Sequence, residues 1–82
     1  MTHKQFLKHD KPTRVDITLE RGIIVGKRLQ YEELLKLFRV GSFYVELTFA
    51  EDQSEVFSIY SSDSDEILEP YLKAIDISEL LD

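Results

Sequence analysis

The chain contains no cysteine. That excludes disulfides, thiolate nucleophiles and every zinc site built on sulfur. Small secreted domains usually lean on disulfide staples, so the composition points to the cytoplasm. Long apolar runs are also missing. A membrane span needs about 20 apolar residues, and the longest run here, GIIVG at 22–26, includes two glycines. The opening stretch, MTHKQFLKHDKPT, is basic and has no apolar h-region, so a secretory signal is not expected.

Glycine is scarce and scattered, at positions 22, 26 and 41. No glycine-rich loop opens a helix, which is what phosphate binding of the P-loop or dinucleotide kind requires. The only histidines are His3 and His9. Their spacing is not the three or four of a helical metal pair. Both fall in a stretch without periodicity, where a general base has no fixed position. The serines, at 42, 54, 58, 61, 62, 64 and 78, include none in a Gly-x-Ser-x-Gly elbow. A serine triad therefore lacks its base. The acidic run DSDE at 63–66 resembles a calcium loop only superficially. An EF-hand needs glycine at the sixth position and glutamate at the twelfth, and the twelfth from Asp63 is Ala74. Together these absences predict a protein that is not an enzyme and holds no metal or cofactor.

Basic residues are almost absent from the second half. Residues 1–40 carry nine Lys/Arg against five Asp/Glu, net +4, whereas residues 41–82 carry one Lys against eleven Asp/Glu, net −10. Such polarity fits an acidic face that meets a basic partner, or two copies meeting head to tail. The acidic docking surface expected from this pattern comprises Glu46, Glu51, Asp52, Glu55, Asp63, Asp65, Glu66 and Glu69. The basic N-terminal third suggests a second reading, a nucleic-acid-associated accessory protein, although the second half would repel the same backbone.

What is present is enough apolar material to fold. Of 82 residues, 43% are hydrophobic and 11% aromatic, which suits one small globular domain. Residues 1–12 show no pattern and read as a flexible basic tail, leaving 13–82 as the domain. Residues 14–20 alternate, with Val15, Ile17 and Leu19 on one side, as a half-buried strand does. Gly22 permits a tight turn, and IIVG returns as a second strand. Tyr31, Leu34, Leu35 and Phe38 then recur at helical spacing, which predicts a helix over 30–39 ending at Gly41.

Residues 42–50 alternate again, with Phe43, Val45, Leu47 and Phe49 inward. Residues 55–61 follow after EDQS, with Phe57 and Ile59 inward. Pairing Phe49 with Phe57 requires an odd loop with a bulge, and Asp52 or Gln53 near a left-handed position. SSDSDE supplies caps for a short turn over 64–68, and Pro70 suits the first turn of a helix starting near Glu69 or Pro70. Asp76-x-x-Glu79 suggests a final helical turn. VDITLE at 15–20 is echoed by VELTFA at 45–50, so the chain reads as an internal repeat.

The fold expected is α+β. Two ββα units form a mainly antiparallel four-stranded sheet, with two helices packed on one face and a short C-terminal helical turn. The other face would carry Ile23, Val25, Tyr44, Val56 and Tyr60 as a partner surface. The function expected is a small non-catalytic cytoplasmic interaction protein that meets another protein or a second copy of itself as a homodimer.

Overall fold

The computed structural model describes residues 1–50 and 52–74. Its elements are α1 (His3–Leu7), α2 (Lys11–Arg21), β1 (Ile23–Gln30), β2 (Glu33–Val40), β3 (Phe43–Phe49), β4 (Val56–Ser62), a 3₁₀ turn (Asp65–Leu68) and α3 (Glu69–Ala74). The four strands form one antiparallel sheet in the order β1-β2-β3-β4. The α+β class holds. No described helix is long and apolar enough to cross a membrane.

Residues 1–12 do not form the flexible tail that their lack of periodicity suggests. A reciprocal capping box starts α1: the Thr2 hydroxyl accepts from the Gln5 N–H at 3.1 Å, and the Gln5 side chain accepts from the Thr2 N–H at 2.9 Å. Phe6, fully buried, sits with its ring centroid 5.0 Å from that of Phe43. Asp10 caps α2, its carboxylate accepting from the Thr13 N–H at 3.0 Å. Pro12 lies in the first turn of α2, where a missing N–H goes unnoticed.

Residues 14–20 are therefore helix, not strand. Two of the apolar residues predicted to line one strand face divide on the helix: Ile17 stays against the core, whereas Leu19 is 52% exposed. The helix stops at Gly22, whose N–H donates to the Thr18 carbonyl at 2.8 Å. A Cβ at Gly22 would lie 2.4 Å from that oxygen, so only glycine fits.

Residues 33–40 are strand, not helix. Gln30 pairs with Glu33 across a two-residue turn whose residues, Tyr31 (φ 51) and Glu32 (φ 67), are both left-handed. This is the geometry of a tight hairpin. β2 lies inside the sheet. Leu34, Phe38 and Val40 go to one face and Leu35 and Leu37 to the other, so the segment is apolar on both sides. With 14–20 helical and 33–40 extended, the two-fold ββα repeat is not realised. The echo of VDITLE in VELTFA joins a helix to a strand.

The first face of the sheet is packed by Phe43, Val45, Leu47 and Phe49 of β3 with Phe38 and Val40 of β2, covered by Phe6 of α1 and by Val15 and Ile17 of α2. Burying each such side chain contributes about 1.5–3 kcal/mol. The 3₁₀ turn and α3 pack on the opposite face, where Ile67 and Tyr71 rest on Leu37, flanked by Tyr44 and Leu68. Helical elements thus cover both faces rather than one.

The β3–β4 connection differs in register from the one expected. Ala50 N–H donates to Glu55 O at 3.0 Å, and Phe49 pairs with Val56, not Phe57. The ladder then shifts by one residue, so Phe57 bulges out and is 51% exposed, while Ile59 returns to the core face. Of the two residues foreseen for the left-handed position, Asp52 and Gln53, it is Gln53 that takes it (φ 60). The 3₁₀ turn and the start of α3 also lie where their caps and Pro70 indicate. The helical turn expected over 76–81 lies outside the described residues.

Candidate functional site

The chain between β4 and α3 crosses the second face and leaves a cleft. Ser62 Oγ accepts from the Ser64 N–H at 3.0 Å, and Ser64 Oγ from the Glu66 N–H at 3.3 Å, which sets the course of the 3₁₀ turn. Ile67 and Tyr71 then seat on Leu37. Gly26 of β1 makes room for the Tyr71 ring, since a Cβ there would lie 2.7 Å from Tyr71 Cδ1. The Tyr71 hydroxyl donates to Glu46 Oε2 at 2.7 Å. Arg28 Nη2 reaches the same oxygen at 3.4 Å, and its Nη1 donates to Gln30 at 2.8 Å. The guanidinium also lies 5.3 Å from the Tyr71 ring centroid. Burial, then the hydrogen bond and charge of Glu46, push the Tyr71 phenol above its usual range. It stays protonated and keeps donating.

The cleft has a volume of about 520 Å³ and is lined by Arg28, Glu46, Tyr60, Ser62, Glu66, Ile67, Glu69 and Pro70. Three carboxylates face one guanidinium. Glu46 is engaged by Arg28 and Tyr71. Glu66 and Glu69 are exposed, and among the described residues the only ion pair is Arg28–Glu46. The excess charge is negative, beside the exposed ring of Tyr60. Such an opening accommodates a cation that brings N–H donors. Among the described residues, no group of three His, Cys, Asp or Glu is arranged to hold a metal ion.

The residues foreseen as an acidic docking surface divide into two groups. Glu46, Glu66 and Glu69 line the cleft, with exposed Asp63 and Asp65 on the chain beside it. Asp52 and Glu55 lie in the β3–β4 loop, at the other end of β4. Glu51 lies outside the described residues. The five residues expected to form a partner surface do not share one open face. Tyr44 and Tyr60 share the second face, but Tyr44 is packed against the Leu37 cluster. Val56 pairs with Phe49 and packs into the first face, because the register moved by one. Ile23 and Val25 are exposed on edge strand β1, with Val25 at an irregularity in its ladder.

One contact escaped the sequence reading. His3 Nε2 lies 2.8 Å from Ser61 Oγ, with its ring 5.1 Å from that of Phe43. Among the described residues no hydrogen bond reaches its other ring nitrogen. The signal that would have placed it was Thr2-x-x-Gln5, a capping pattern at the start of the chain. No protein-family model matches the chain, and no curated protein or solved structure shows significant similarity to it.

Proposed function

We propose that the protein is a non-catalytic interaction module of the cytoplasm whose acidic cleft docks a basic segment of a partner protein. The observation that carries this reading is the gathering of Glu46, Glu66 and Glu69 around one opening beside Tyr60. A lysine or arginine side chain entering there meets the carboxylates of Glu66 and Glu69 and the face of Tyr60, a cation–π wall. Arg28 and Tyr71 hold Glu46 as a fixed acceptor. The net charge of −10 over residues 41–82 adds long-range attraction, which raises the on-rate and fades with salt. The basic first half of a second copy carries the same complementary chemistry, so a homodimer is one form the partner takes.

The test is calorimetric titration with a short peptide of alternating Arg and Gly, at low and at high salt. Binding at low salt, weakened at least about tenfold by Glu66→Lys/Glu69→Lys, is the expected result. Equal binding of a Gln–Gly peptide would remove the electrostatic basis. Sedimentation across the same salt range reads out self-association.

A further inference from the structure

The first face of the sheet is not wholly covered. α2 packs over β2 and β4, and the corner nearest the β1–β2 turn is left open. There the ladder sets Lys27 directly opposite Lys36, and Leu29 opposite Leu34. Directly opposed side chains stand about 4.5–5.5 Å apart at Cβ, and like charges in that position repel. Lys36 donates to the neutral Gln53 side chain at 3.1 Å and lies 5.0 Å from the Phe49 ring centroid. Neither contact cancels its charge. Among the described residues, neither lysine has a carboxylate within ion-pair distance, the one such pair being Arg28–Glu46. Leu29 beside them is 77% exposed.

We propose that this corner, formed by Lys27, Leu29, Leu34 and Lys36, docks an acidic amphipathic peptide segment of a partner protein. Charge complementarity chooses the occupant. Two lysines on one face, neither in an ion pair among the described residues, call for carboxylates, and the leucine pair next to them calls for apolar side chains interleaved with those carboxylates. A phosphodiester backbone answers the lysines but leaves the leucines in water. This surface lies on the face opposite the acidic cleft and has the opposite sign, so it does not depend on the reading of that cleft. With both in use, the domain joins two partners of unlike charge.

The experiment uses fluorescence anisotropy on the full chain. The probes are a labelled peptide of alternating Leu and Glu, its Leu–Gln counterpart, and a labelled deoxythymidine oligonucleotide. The Leu–Glu peptide is expected to bind. Lys27→Glu/Lys36→Glu weakens it about tenfold, two exposed charge contacts being lost and reversed. Leu29→Ser weakens it a few-fold, and Glu66→Gln/Glu69→Gln, which adds no cation to the other face, leaves it within about twofold. Charge reversal leaves a like-charged pair at the same two positions, so the fold stays intact, which circular dichroism and thermal melting verify for each variant. The proposal is overturned if the Leu–Glu peptide fails to bind, if the Leu–Gln peptide binds equally, if charge reversal has no effect, or if the oligonucleotide binds more tightly.

Discussion

Phe6→Ala separates a docked N-terminus from a loose one. Phe6 is fully buried, and so is Phe43, the ring it meets at a centroid distance of 5.0 Å. Truncating a core phenylalanine costs about 3–5 kcal/mol when the cavity persists. Here α1 has only five residues. A helix so short does not hold itself together, so it undocks rather than enclose a void. That puts the cost near the lower bound, about 3 kcal/mol. For a domain whose total stability is of order 5–15 kcal/mol this is a large share. Urea unfolding followed by far-ultraviolet dichroism measures it. With m about 1.5 kcal/mol per molar, the midpoint falls by about 2 M. Leu7→Ala, at a position 51% exposed, is the control and stays near wild type. In a double-mutant cycle, Phe6→Ala and Phe43→Ala cost less together than their sum, because each removes the other's partner. A Phe6→Ala midpoint within about 0.3 M of wild type would mean that α1 is not docked, and the unpatterned first residues would be the loose tail they resemble.

The Tyr31–Glu32 turn holds two non-glycine residues in left-handed backbone, a conformation that costs roughly 1–2 kcal/mol per residue. Tyr31→Asn/Glu32→Gly is expected to raise stability by about 1–2 kcal/mol, read as a higher urea midpoint. Gly26→Ala forces the Tyr71 ring away from β1. Its near-ultraviolet tyrosine signal changes, and the loss of the Tyr71–Glu46 contact costs about 1–3 kcal/mol. Hydrogen bonds from Thr13 hold the Asp10 carboxyl below its ordinary value of 3.8. The ionised form therefore stabilises the fold above pH 3.8, and that contribution is lost as pH falls through the lowered folded value. Asp10→Ser keeps the cap without the titration, so its stability declines less steeply below pH 3.8 than that of the wild type.

The second half of the chain is the more legible half. β3 alternates because one of its faces is wholly buried while the other, carrying Tyr44, Glu46 and Thr48, is only half-buried, and its inward residues are the four that the alternation marks. The turn after Ser64 and the helix after Leu68 announce themselves through capping residues and Pro70. The first half conceals itself for physical reasons. LLKLF on β2 is apolar on consecutive residues because helical elements cover both of its faces, and such a run fits a helical stripe as readily as a strand. The β1–β2 turn gives no warning, since Tyr and Glu occupy positions where Asn and Gly are usual. α2 carries an alternation of period two by coincidence, and its Asp10 cap decides the matter. Of the candidate cleft, the carboxylates were legible as charge. Their meeting with Arg28 and Tyr71 was not, because it depends on which face α3 crosses.

Because the strands pair in the order in which they occur along the chain, each can join its predecessor as it leaves the ribosome. The two N-terminal helices have no such opportunity. They are made first, yet the residues that bury Phe6 belong to β3, about 40 positions later. At 5–20 residues per second that leaves roughly 2–8 s of synthesis during which the phenylalanine of α1 has no surface to cover it. The newborn chain therefore presents an apolar anchor to chaperones well before its sheet can claim it.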